Sequence, residues 1–215
     1  KIDYGDVDAI AELLHKIALR EDIGDTLAGG IKQAAKQWQL EDMAVHVKGL
    51  EPAGYDPRAL KGMGLSYATS DRGACHLRAT FYKPEISGMI PPEQIEGKAE
   101  LFLDFEDRLT LFDTLILCRF YRDFYDWDKL AKMIYAVTGI DEGKEGLQHR
   151  ARQIADIIRR FNLREGLKPE DDHLPKIFHG KLKDSGKVIT EDELETMLQD
   201  YYRLHGWDKK GKPGS

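Results

Sequence analysis

Three places in the sequence carry side chains that could do chemistry. Cys118 lies in Leu115-Ile-Leu-Cys-Arg-Phe120, where a thiolate could ligate iron or another soft metal. Its apolar neighbours equally suit a small core residue. Cys75-His76 sits between Arg72 and Arg78, so the imidazole could donate or accept a proton near an anionic ligand, or serve as a hydrogen-bonded structural histidine. Asp113 precedes Cys118 by five residues. It could cap the next segment, or accept bidentately from the N–C–N edge of a heterocyclic amine. The chain carries no P-loop, no Gly-x-Gly-x-x-Gly after a strand and no His-Glu-x-x-His, and its other histidines make no metal-ligand spacing.

Composition narrows the partners. The chain has 215 residues, is 33% charged and carries a formal charge of −6, which argues against nucleic acid. No apolar run reaches membrane-spanning length and no signal segment opens the sequence, so a cytoplasmic location without membrane contact is expected. With only two cysteines, Cys75 and Cys118, four thiolates cannot come from this chain, and two buried thiols in a reducing compartment are the plain reading. The first residue is Lys1, which points to a processed or excised piece, and the closing Gly214-Ser215 fits a cloning scar.

The elements that must position these groups read as helices. Asp6 caps a helix with Ile10, Leu13, Leu14 and Ile17 on one face, stopped at Gly24. Asp25 or Thr26 starts a second helix, with Leu27, Ile31, Ala34, Ala35 and Trp38 on one face, completing a hairpin. From Val45 to Ile90 the sequence is rich in Gly and Pro without a sustained helical period, and reads as a long functional loop with a short helix near Met63 to Thr69. Helical spacing returns over Ala99 to Phe112, from Trp127 to a stop at Gly139, and from Leu147 to Phe161. Leu167 to Val188 reads as an extended surface loop, and the capping box Thr190-Glu-Asp-Glu193 opens a last helix ending at Gly206. The fold class is all-α.

Taken together, these segments resemble the tungsten-containing aldehyde:ferredoxin oxidoreductase family. The resemblance rests on Asp56 to Arg78, with Ser70-Asp-Arg-Gly-Ala-Cys-His-Leu-Arg78 at its end, and on Val47-Lys-Gly-Leu-Glu51 before it. It rests also on Asp113-Thr-Leu-Ile-Leu-Cys118, similar to the second of the family's two Asp-x-x-Gly-Leu-Cys/Asp motifs, and on the opening Tyr4-Gly-Asp and closing Gly206-Trp-Asp. It implies helical domains of that family's type with a Gly-rich active-site loop: residues 1–44 ending the middle domain, 45–215 forming the C-terminal helical domain.

The resemblance also implies chemistry. Family members oxidise aldehydes to carboxylic acids at a tungsten (or molybdenum) bis-pterin centre and pass electrons through a [4Fe-4S] cluster to ferredoxin. Cys118 would be the cluster's fourth ligand, the other three lying in a missing N-terminal half. Asp113 would bind pterin amine nitrogens, Leu117 would offer backbone groups to the cofactor, and Arg78 would face pterin or phosphate. His76 would exchange protons with a small aldehyde substrate, and Tyr55 would line its pocket. Two positions depart from the pattern: Ile116 stands where the motif has Gly, and Asp71 where Asn is common. Both cofactors are expected to be absent from the chain by itself, since one cysteine cannot hold four irons. A free-standing helical binding module without catalysis is the alternative, and a ring-reducing relative a third. An apolar surface is expected near Cys118, where the missing half would sit.

Overall fold

The computed structural model describes residues 2–214; Lys1 and Ser215, on which the processing and cloning-scar expectations partly rest, lie outside the described residues. The described residues are helical, with two isolated β-bridges and no named strand. Helix α1 (Val7–Leu19) is capped by Asp6, whose side chain accepts from the Ala9 amide. It ends on Arg20 in the left-handed region, earlier than the Gly24 stop expected. Gly24 instead lies inside α2 (Ile23–Ala28), where a Cβ would come within 2.2 Å of the Lys16 carbonyl oxygen; its role is close approach between α1 and α2. The single second helix expected is two, because Gly29-Gly30 separates α2 from α3 (Ile31–Trp38). The apolar stripe of α1 buries no residue, and Val7, Ile10 and Leu14 remain exposed.

The stretch from 45 to 90 is not one loop. It holds α4 (Lys61–Thr69) and α5 (Tyr82–Ile86), and every residue of α4 is buried. A helix enclosed on all sides has no polar face, so it shows no 3.6-residue alternation. Its glycines face neighbours: a Cβ on Gly62 would stand 2.3 Å from the Phe81 ring, and one on Gly64 2.6 Å from Ile189. The central strut is α6 (Lys98–Thr114). Its first half packs into a core with Met63, Leu65, Phe81, Ile189 and Leu198. Its second half joins Trp127, Leu130, Leu147 and Ala151 from α7 (Trp127–Thr138) and α8 (Lys144–Arg164). Helix α9 (Glu191–His205) carries the reciprocal capping box at Thr190 and Glu193 and stops at Gly206 as expected.

The segment from Leu167 to Val188 corrects a second expectation. It does not run over the surface: Asp172, Leu174 and Phe178 are buried. Asp172 accepts from Arg159 at 3.1 and 2.6 Å and from the Tyr202 hydroxyl at 2.6 Å, and Lys48 Nζ lies 2.7 Å away. Lys48 also donates to the Ala68 and Ser70 carbonyls at the end of α4, at 2.5 and 2.9 Å. Arg159 Nε donates to Gly211 at 2.8 Å. One carboxylate thus ties together a loop, three helices and the C-terminal tail. Burial pushes its proton affinity up, but Lys48 and Arg159 outweigh that and hold it below the ordinary carboxylate range.

Asp172→Asn leaves two buried cations without a counter-charge, so urea denaturation is expected to show a loss of about 3–5 kcal/mol. Because the folded carboxyl is held low, its contribution is full above about pH 4 and is lost as the pH falls further. A variant within 0.5 kcal/mol of the parent, by the ordinary spread of surface substitutions, would contradict this.

Candidate functional site

The end of α6 places Asp113 at the surface. After it the chain closes the helix with two bonds: Ile116 N–H donates to the Asp113 carbonyl at 3.1 Å, and Leu117 N–H to the Phe112 carbonyl at 2.8 Å. This pattern requires a left-handed residue at position 116, and Ile116 has φ of +58°. The Gly of the expected motif therefore has a local reason here, the backbone conformation itself. Ile116 meets that requirement with a β-branched side chain that is 92% exposed. The closure also uses the Leu117 amide, so of its backbone groups only the carbonyl carries no hydrogen bond among the described residues.

Cys118 follows, exposed; Cys75 is buried. The plain expectation of two buried thiols thus holds for Cys75 alone, whose sulfur accepts from Arg72 at 3.0 Å and from the Leu77 amide at 3.3 Å. Around Cys118, Leu115, Ile116, Phe120, Tyr121 and Phe124 are all exposed, an apolar surface at the place where one was expected.

Asp113 is held by two arginines. Arg78 donates to Oδ2 at 2.6 Å. Arg119 grips both oxygens, its Nε at 2.9 Å from Oδ1 and its Nη2 on Oδ2. Arg78 also makes a fork with Asp71, at 2.6 and 2.9 Å, and the Asp71 carbonyl accepts from Asn162 of α8 at 2.8 Å. The line Asp71, Arg78, Asp113, Arg119 thus runs from the glycine-containing segment to the residue beside Cys118. It edges a cavity of roughly 290 Å³ whose lining includes Asp71, Arg78, Asp113, Asn162, Tyr201 and Trp207. Arg119 had no role assigned from sequence; its position next to Cys118, in a motif that opens with an aspartate, was the signal available.

A second group gathers around His76. Its ring lies 5.8 Å from that of Tyr55, which stacks on Tyr82 at 4.1 Å and 8°. His76 lines an open cleft with Glu51, Pro52, Arg72 and Cys75. Burial, then the Arg72 charge, lower its proton affinity and so favour the neutral ring. Burial and a hydrogen bond with Tyr82 raise that of the Tyr55 phenol, which keeps its proton. The structure thus joins Arg78 to Asp113 and sets Tyr55 beside His76. Among the described residues, no three His, Cys, Asp or Glu side chains come together to hold a metal ion. No helix among them is long and apolar enough to cross a membrane.

A family model described as "Aldehyde ferredoxin oxidoreductase, domains 2 & 3" matches residues 1–215. The tungsten-containing aldehyde ferredoxin oxidoreductase of Thermococcus kodakarensis is 34% identical over 220 residues, covering 97% of this chain and 36% of the relative. The protein of the same name from Pyrococcus furiosus is 34% identical over 215 residues, with the same coverage of 97% and 36%. The chain therefore spans about a third of the length of the curated relatives it matches. In fold it is similar to the active-site complex BamBC of benzoyl coenzyme A reductase with 1,5-dienoyl-CoA, with a TM-score of 0.75 at 20% identity, over 98% of this chain and 38% of that one.

Two outcomes follow from the local geometry. Ile116→Gly relieves a left-handed β-branched residue on the surface and is expected to stabilise the chain by roughly 1 kcal/mol in urea denaturation; an equal or lower stability would contradict the backbone argument. The His76 ring is expected to titrate below about 6.5, the ordinary histidine value, in an NMR pH series. The unfolded chain then takes up this proton first, so the His76 contribution to stability falls as the pH drops through that range. A midpoint above the ordinary value would contradict the environment described.

Proposed function

The chain belongs to the aldehyde ferredoxin oxidoreductase family, and on that premise we propose that it is the helical part of a longer oxidoreductase that converts small aldehydes to carboxylic acids. In this reading the metal is tungsten, or molybdenum, held by two pterins, and electrons leave through a [4Fe-4S] cluster to ferredoxin. Residues 1–44 belong to the middle domain and 45–215 to the C-terminal domain. The bound cofactors would supply the two-electron oxidation and the one-electron relay.

The observation that carries this reading is the corner built by α6, which presents Asp113 and Cys118 on either side of one tight turn. The chemistry of the donors suits the groups. Asp113 already accepts a planar N–C–N fork, that of Arg119, and a pterin's amine edge offers the same donor pattern. Arg78 would hold the carboxylate in place from the other side while Asp71 braces it. Cys118 would give one thiolate of four. In this reading the other three ligands would come from the rest of a longer protein. The Leu117 carbonyl stays available to a cofactor N–H. His76, neutral, would accept a proton from substrate or return one, and Tyr55 would hold the substrate beside it as a donor. The apolar surfaces at Leu115 to Phe124 and along α1 would be covered by the N-terminal half, which would also keep water from the centre.

Elemental analysis of the full-length protein, purified without oxygen, tests this. Cys118→Ser is expected to lower iron content severalfold with tungsten less affected, and Asp113→Asn to lower tungsten and pterin content severalfold. Full iron and tungsten in both variants would remove these two residues from the site, and a native protein with neither metal would remove the reading altogether.

A further inference from the structure

Tyr55 lies in a segment that does little to hold itself in place. No residue from 51 to 56 is buried. Among the described residues the backbone there makes one internal bond, from the Tyr55 amide to the Ala53 carbonyl at 2.8 Å, and a Cβ on Gly54 would meet no atom within 4 Å. Two other tyrosines supply the support. Tyr67, fully buried in α4, sets its hydroxyl 3.1 Å from the Tyr55 carbonyl and 3.2 Å from the Ala53 carbonyl, so its single proton serves acceptors on both sides of Gly54. Tyr82 opens α5 and lays its ring on that of Tyr55, with centroids 4.1 Å apart and planes 8° from parallel. Helix α5 is itself locked: Glu85 is buried against Lys98 of α6 and accepts from the Gly62 amide of α4 at 2.8 Å. The Tyr55 backbone thus rests on one buried helix and its ring on another.

The neighbouring His76 does not supply that support. Its ring stands 5.8 Å from Tyr55 at a tilt of 40°, which is no stack, and its own backbone is fixed separately, between buried Cys75 and the Leu77 amide bonded to that cysteine's sulfur. The gap between the two rings is therefore set from the Tyr82 side. We propose that Tyr82 is a positioning residue of the substrate pocket: by stacking on Tyr55 it fixes the opening between Tyr55 and His76, and with it the fit of the aldehyde. This rests on the reading of Tyr55 and His76 as substrate-facing. The ring face carries the role, since two planar faces in contact fix each other's orientation. The hydrogen bond between the two phenols adds little, because water competes for it in this open cleft. A Tyr55 ring freed from Tyr82 has to be ordered each time substrate or product binds, and that cost falls on affinity and not on the chemical step.

The test compares the full-length parent with Tyr82→Leu, Tyr82→Met, Tyr82→Phe and Tyr55→Leu. It reads KM and kcat for benzaldehyde and, by calorimetry, the Kd of benzoate, the corresponding carboxylate. Tyr82→Leu is expected to raise KM and Kd together, by about three- to tenfold, the cost of ordering one side chain, with kcat near the parental value. Tyr82→Met, which removes the aromatic face while filling most of the space, is expected to do the same, so the test survives if the leucine variant folds poorly. Tyr82→Phe keeps the face and is expected to match the parent. Parental KM and Kd in the leucine and methionine variants, with Tyr55→Leu shifted, would overturn the proposal and leave Tyr55 in the pocket. A fall in kcat alone, the mark of a smaller folded fraction, would overturn it too, as would a phenylalanine variant no better than the leucine one. Parental KM and Kd in Tyr55→Leu would remove Tyr55 from the pocket, and the proposal would fall with the reading beneath it.

Discussion

The carboxylate of Asp172 is the interaction on which the rest of the structure depends. It is buried, it accepts from Arg159 and Tyr202, and it lies against Lys48, whose ammonium caps the end of α4. Without that charge, Lys48 and Arg159 would face each other desolvated, and the loop at 48, the end of α4, α8, α9 and the tail would lose their common anchor. Arg159 also borders the cavity that Asp113 and Arg78 edge. The site thus stands on a buried electrostatic junction rather than on apolar packing alone. A second buried pair, Glu85 with Lys98, does similar work at the start of α6, where Glu85 also receives the Gly62 amide at 2.8 Å.

The geometry separates two tasks. Helix α6 runs through both cores and delivers Asp113 rigidly at its end; the closing turn then sets Cys118 a few residues on. Proton exchange would be handled elsewhere, by His76, beside the Tyr55 ring that the Tyr82 stack holds. Both groups depend on the segment from Ser70 to Arg78. That segment is pinned by buried Cys75, by the Asp71–Arg78 fork and by the Asn162 bond. Asp71 where Asn is common gains meaning from this, since a charged fork on Arg78 needs a carboxylate.

Much of this was legible in the sequence, and the failures have physical causes. Helices α6, α7 and α9 announced themselves through apolar spacing, the stop at Gly139 and the Thr190–Glu193 box. Helix α4 was visible only as a possibility, because burial on every side erases periodicity. The stretch from Leu167 to Val188 read as surface because its polar residues outnumber its apolar ones; nothing local shows that Asp172 will meet two cations from 13 and 124 residues away. For the site, Asp113, Cys118 and His76 stood out by residue type and took their expected roles from a family resemblance, whereas the place of Arg119 shows only in the fork it makes on Asp113. Position 116 shows both sides: sequence marked the departure from Gly, and the backbone supplied its reason.

The claim at the centre is that the corner formed by Asp113 and Cys118 holds cofactors which the rest of a longer protein completes. Anomalous diffraction at the iron and tungsten edges, from crystals of the full-length protein grown without oxygen, tests it most directly. The account predicts an iron peak within bonding distance of the Cys118 sulfur, and a tungsten peak on the side of the turn that Asp113 faces. A free Cys118 thiol with no iron beside it, in a protein that holds both metals elsewhere, would contradict it.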